Sequence, residues 1–195
     1  KASADYLVMA YYYTYGLPIT ISNCSNNYGP YQFPEKLIPL MINNIRQRLP
    51  LPIYGDGKNI RDWLYVGDHC SAIWTIMQKG VIGEKYNIGG ETEWENIRLV
   101  KELCEIYALE TGDNPQEILS LISFVRDRPD HDFRYAIDCS KIKDRLGWKR
   151  SMDFRQGLEK TINWYLENPG WIANIISGEY KEWIKNNYYD RQDFR

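Results

Sequence analysis

Eight consecutive residues, Val125-Arg126-Asp127-Arg128-Pro129-Asp130-His131-Asp132, carry two arginines, three aspartates and a histidine. Histidine and aspartate can ligate a metal, but two guanidinium groups in the same loop repel a cation. These residue types therefore fit an anion site better; the competing reading is a solvated charged loop. A second stretch, PIYGDGKNIRDWLYV, holds Tyr54, whose ring face suits a nucleobase, and Arg61. The planar guanidinium of Arg61 matches a phosphate with paired hydrogen bonds. Its competing reading is an ordinary hairpin with an Arg61–Asp62 surface charge pair. A third stretch, SNNYGPYQFPEK, offers neutral donors and acceptors on Asn26 and Asn27 beside a Tyr28-Gly29-Pro30 turn. Against it stands a turn-rich loop whose asparagines bond their own backbone. Lys1, heading a helix, reads by itself as a solvated surface charge.

Strand ends and loops must present these side chains, since that is where open α/β sheets place ligands. Periodicity predicts a helix over residues 2–15, with Leu7, Val8, Tyr11, Tyr12 and Tyr15 on a broad apolar face and Gly16 and Pro18 as the stop. A β-branched strand over 17–24 follows, then a polar loop over 25–34. Residues 35–48 read as an amphipathic helix whose first turn must hold Pro39. The stretch 51–66 reads as strand, tight Gly55-Asp56-Gly57 turn, strand. Helices are predicted over 67–80 and 96–109, with a short strand near 84–90 between them. Residues 110–121 read as a weakly structured connection, followed by a strand that runs into the charged loop. Helices over roughly 140–146, 154–167, 170–177 and 180–187 close the chain. Alternating strands and helices predict an α/β protein. No G-x-G-x-x-G or P-loop stretch occurs, so the phosphate-binding turn of any nucleotide-binding half is not in these residues.

The net charge of −2 gives no electrostatic case for nucleic acid or an anionic membrane, and any basic function must be local. No apolar run is long enough to span a bilayer. Cys24, Cys70, Cys104 and Cys139 form no C-x-x-C pair, which argues against zinc ribbons and redox motifs; they read as reduced thiols of a cytosolic protein. The 16 tyrosines and 7 tryptophans suit internal packing first and a lined cleft second.

Taken together, the stretches KASADYLVMAYYYTYGLPITISNCSNNYGPYQFPEKLIPLMI, LPIYGDGKNIRDWLYVGDHCSAI, YNIGG and RPDHDFRYAID closely resemble the dTDP-glucose 4,6-dehydratase family of the extended short-chain dehydrogenase/reductase superfamily. The similarity runs over essentially the whole chain. It implies the C-terminal part of an NAD-binding Rossmann fold interleaved with a smaller α/β substrate domain. Residues 1–34 and 60–90 would be the last Rossmann elements, and 35–59 and 91–195 would bind the sugar nucleotide. The superfamily's Tyr-x-x-x-Lys pair places two side chains one helical turn apart. KASADYLV matches the segment that begins with that lysine, so the tyrosine, the glycine-rich NAD fingerprint and the elimination carboxylates would lie upstream. The resemblance implies a full enzyme, typically a homodimer, that takes dTDP-glucose. It would oxidise C4 with bound NAD, eliminate water across C5 and C6, and return the hydride to C6.

The roles below are implied by that resemblance. Lys1 would hydrogen-bond the nicotinamide ribose and lower the pKa of the missing tyrosine. Asn26 would contact substrate, and its neighbour Asn27 would lie near NAD. Lys36 and Leu37 would lie beside the diphosphate and nucleoside, while Pro52, Ile53 and Tyr54 would line the thymine pocket. Arg61 would bind the diphosphate, and Asn96, at a helix start, would add an anion contact. Asp127, Arg128 and His131 would form a second phosphate and nucleoside loop, with Tyr188 near the substrate. No metal is implied. The loop reads Arg-Pro-Asp-His where the family pattern is Arg-Pro-Gly-His, which sets the carboxylate of Asp130 near an expected diphosphate site, at a position where the family's glycine is free to take a positive φ. A CDP- or UDP-linked sugar dehydratase or epimerase, and a non-catalytic nucleotide-sugar-binding module, stand as alternatives.

Overall fold

A computed structural model describes residues 1–176 and Lys185. Apart from Lys185, the expected helix over 180–187 lies outside the described residues, as does the candidate Tyr188. In chain order the elements are α1 (Ala2–Tyr15), β1 (Ile21–Cys24), β2 (Asn26–Tyr28), α2 (Leu37–Arg46), β3 (Leu51–Tyr54), β4 (Ile60–Tyr65), α3 (Val66–Lys79) and β5 (Lys85–Ile88). They continue with β6 (Glu93–Glu95), α4 (Asn96–Thr111), α5 (Pro115–Leu119), β7 (Ile122–Val125), β8 (Arg134–Tyr135), α6 (Ser140–Leu146), α7 (Phe154–Glu167) and α8 (Pro169–Ile176). The α/β class read from the alternation holds.

The strands form three groups. β1 pairs in parallel with β5, β3 in parallel with β7, and β4 lies among β2, β6 and β8. The expected hairpin over 51–66 is not formed. β3 and β4 flank a real turn, with Gly55 and Gly57 at φ of 58° and 75°, but each strand takes a distant partner. The Gly-Asp-Gly signal is local, whereas β3 and β7 are joined by a long parallel crossover that no local pattern reports.

Two further readings are corrected. Asn26–Tyr28 is a short strand rather than loop, paired in parallel with Trp63–Tyr65 and anchored by the buried Tyr28. The connection after α4 contains the helical turn α5, capped by the Asn114 side chain on the Gln116 N–H, with Pro115 at its first position and Ile118 fully buried. Pro39 sits in the first turn of α2 as expected, where no backbone N–H is needed.

The buried residues make two cores. The larger joins α2, β3, α4 and α7 through Ile38, Met41, Leu51, Leu103 and Leu158. The second gathers Leu64, Ala72, Ile76 and Tyr86 with Cys139, Ile142 and Trp148, so the segment from Cys139 to Trp148 packs against α3 and β5. α1 joins neither. None of its residues is buried, and Leu7, Val8, Tyr11 and Tyr15 of its expected apolar face are exposed, as are Tyr6 and Tyr13. It touches the body through Asp5, whose carboxylate accepts from Lys85 Nζ at 3.0 Å, and through Tyr12 against Gly83.

Candidate functional site

The parallel pairing assembles the site. β7 leaves its ladder opposite Tyr54, and the charged loop 126–133 begins there. The loop ends at β8, opposite Ile60 and Arg61. It is therefore strung between the exit of β3 and the start of β4. The Asn59 side chain adds a tie, donating to the Asp132 carbonyl at 3.3 Å.

A cleft of about 300 Å³ opens beneath this loop. Asn26 comes from β2, with Lys36 and Leu37 from the start of α2. Pro52, Ile53 and Tyr54 come from β3; Arg61 comes from β4 and Asn96 from the start of α4. Arg128 and His131 descend from the loop. Residues scattered over more than a hundred positions thus meet in one cavity large enough for a small organic ligand. Asp127 does not line it. Its Oδ1 instead lies 2.6 Å from His131 Nδ1, and its carboxylate also accepts from the Arg128 backbone N–H. Burial pulls the Asp127 carboxyl upward, but these hydrogen bonds outweigh it and hold it below its usual range.

Arg61 is half-buried. Its guanidinium donates to the Ile60 and Asp132 carbonyls at 2.7 and 2.8 Å, and more weakly to Phe133 at 3.5 Å. The expected surface pair with Asp62 is not formed. The Asp62 carboxylate is buried and accepts from the Gly90 and Thr92 backbone N–H groups. Arg61 thus holds the loop's returning end while bordering the cleft, and burial draws its guanidinium down slightly against the pull of Asp132. The Arg128 guanidinium stands 5.2 Å from the Tyr54 ring centroid, and the His131 ring meets the same tyrosine edge-on at 6.0 Å. Lys36 Nζ lies 2.7 Å from Glu35 Oε1.

The start of α4 is not an open anion site. The Asn96 and Ile97 backbone N–H groups donate to the Asn59 and Gly57 carbonyls and are taken up within the protein, while the Asn96 side chain lines the cleft. Asn27 is next to the cleft but not in its wall: its Nδ2 donates to Cys24 Sγ and the Ser25 carbonyl, both at 3.2 Å. Lys1 is exposed at the head of α1 and does not line the cleft. Asp130 holds φ at 53°, the left-handed region in which glycine is cheapest. Four lining residues were not anticipated: Glu35, Leu40, Met41 and Trp63. The signal for Trp63 was present, since it lies two residues from Arg61 on a strand and so shares its face.

A cleft lined by apolar and charged side chains at the strand ends of a largely parallel α/β framework is the arrangement of a Rossmann-type fold. The chain belongs to the GDP-mannose 4,6-dehydratase family, whose model matches residues 1–161. It is 52% identical over 192 residues to dTDP-glucose 4,6-dehydratase of Escherichia coli, covering 98% of this chain and 53% of that protein. A dTDP-glucose 4,6-dehydratase of Xanthomonas campestris is 51% identical over 184 residues, covering 93% and 52% respectively. Among solved structures, the dTDP-glucose 4,6-dehydratase of Bacillus anthracis in complex with NAD superposes with a TM-score of 0.79 at 47% identity, over 90% of this chain and 53% of that one. The Streptomyces venezuelae enzyme with NAD and TYD bound gives a TM-score of 0.81 at 42% identity, over 90% and 52%. The chain spans about half the length of the curated relatives it matches.

Proposed function

We propose that this chain is the nucleotide-sugar-binding part of a dTDP-glucose 4,6-dehydratase, an NAD-dependent lyase that makes dTDP-4-keto-6-deoxyglucose and water. One observation carries the reading. Ten residues matched to substrate contacts by family resemblance, from Asn26 to His131, converge on one cleft, in a chain about half identical to enzymes of that name. The apolar wall of Leu37, Leu40, Met41 and Pro52 would take the base against Tyr54. Arg61, Arg128 and Lys36 would neutralise the diphosphate. His131, steadied by Asp127, would complete the anion side.

The chain's contribution toward NAD would come from Lys1 and Asn27. The buried Oδ1 of Asn27 has no hydrogen-bond partner, which suits a group that meets a further donor. NAD, when bound, supplies the reversible hydride acceptor, while Lys1 would hold a ribose hydroxyl and favour the deprotonated form of a tyrosine base. In this reading residues 1–34 and 60–90 complete the NAD-binding domain, and the remainder forms the substrate domain. The full protein would be a cytoplasmic homodimer, with α1 contributing to the subunit contact.

The test is competition binding with dTDP, UDP and CDP, followed by incubation of the full protein with dTDP-glucose and NAD. Preference for dTDP and appearance of the 4-keto product are expected. Preference for UDP or CDP would redirect the reading to another nucleotide sugar. Binding without turnover would favour a non-catalytic module.

A further inference from the structure

Among the described residues, four buried side-chain polar atoms have no hydrogen-bond partner: Asn27 Oδ1, Gln32 Oε1, Trp63 Nε1 and Asn96 Oδ1. Buried polar groups in folded proteins are almost always paired, so orphans that gather in one place point to a missing ligand. Two of these four, Trp63 and Asn96, border the cleft itself. Trp63 is the sharper case, because an indole N–H can only donate. Its side chain is held in place. The residue is 5% exposed, its ring packs edge-on against Tyr28 at 6.3 Å, and its backbone N–H donates to the Thr92 carbonyl.

The register fixes its neighbours. Trp63 is the parallel partner of Asn26, so the two side chains share a face of the sheet, and Arg61 lies on that face two residues earlier. The indole therefore stands between the asparagine and the guanidinium on one wall. Resting on the functional reading above, we infer that Trp63 is a ligand-contacting residue. Its Nε1–H donates to an oxygen at the diphosphate–sugar end of the bound nucleotide, between the groups that meet Arg61 and Asn26. Asn96 Oδ1, an acceptor on the same cleft, is suited to a hydroxyl and not to a phosphate oxygen.

Trp63→Phe in the full protein removes the donor and keeps most of the ring. Calorimetry with dTDP-glucose is expected to find affinity reduced about 5- to 20-fold, the loss of one buried hydrogen bond. Thymidine, which lacks the diphosphate and sugar, is expected to bind wild type and variant alike. The melting temperature without ligand should hold or rise, because an unpaired buried donor has been removed. In wild type, the Trp63 indole N–H resonance should move on adding dTDP-glucose and not on adding thymidine. Unchanged dTDP-glucose affinity, or a static indole resonance, overturns the inference alone. A lowered melting temperature with equal losses for both ligands assigns Trp63 to packing and overturns it too. If wild type binds no dTDP-glucose, the functional reading falls first and this inference with it.

Discussion

The His131 imidazole and the Asp127 carboxylate sit 2.6 Å apart with unequal access to water: the histidine side chain is 6% exposed and the aspartate 40%. The carboxylate acts as a bracket outside the cleft for a ring inside it. Asp127→Ala should weaken dTDP binding about two- to fivefold, the range of a partly exposed pair. Calorimetry decides it, and an unchanged affinity would mean that Asp127 does not position the ring.

The same bracket has a pH signature. The Asp127 carboxyl is lowered in the folded protein, so its stabilising contribution is complete above the unfolded value of about 4 and disappears as pH falls through the lowered one. An NMR titration of this carboxyl should find a midpoint below that of an isolated aspartate; a midpoint at or above it contradicts the geometry.

Arg61 has two duties, holding the Asp132 and Phe133 carbonyls and facing the cleft. Arg61→Ala should therefore cost on the order of 1.5–3 kcal/mol in nucleotide affinity. Arg61→Lys should recover little, because a point charge cannot replace the fork. Full affinity in either variant would assign the cleft's polar loops to ordinary solvation.

Asp130 occupies left-handed backbone at φ 53°. Asp130→Gly removes both the strain and a carboxylate from the charged loop. Thermal unfolding should show stability unchanged or raised by up to about 1 kcal/mol, with dTDP affinity equal or higher. A lowered melting temperature would show that the aspartate side chain stabilises the turn.

The buried Asp68 carboxylate accepts from the Ser151 N–H, the Ser151 hydroxyl and the Met152 N–H, fastening the chain after α6 to the start of α3. Asp68→Asn turns one acceptor into a donor facing a donor. The expected loss is about 1–3 kcal/mol in chemical denaturation, with an undiminished affinity per folded molecule. No loss of stability would mean that this fastening does not hold the two segments together.

How much of this was readable beforehand depended on the range of the interaction. Helices such as α3 and α7 were legible because their periodicity is local. The β3–β7 pairing was not, and the Gly55-Asp56-Gly57 turn actively suggested the wrong partner. Most cleft residues were found through family resemblance, since nothing local links Asn26 to His131. Leu40 and Met41 lie on the amphipathic helix expected over 35–48, but nothing local assigns them to the cleft. α5 escaped because five residues with one buried side chain, Ile118, carry almost no pattern.

The loop 126–133 hangs from one sheet at β7 and from another at β8. A ligand gripped by Arg61 and Arg128 would staple those sheets together across the cleft. Local opening of either sheet would then have to break the grip first. Backbone amides of β3, β4 and β7 should consequently slow their hydrogen exchange in unison when nucleotide binds, turning two separately fraying ladders into one cooperative unit.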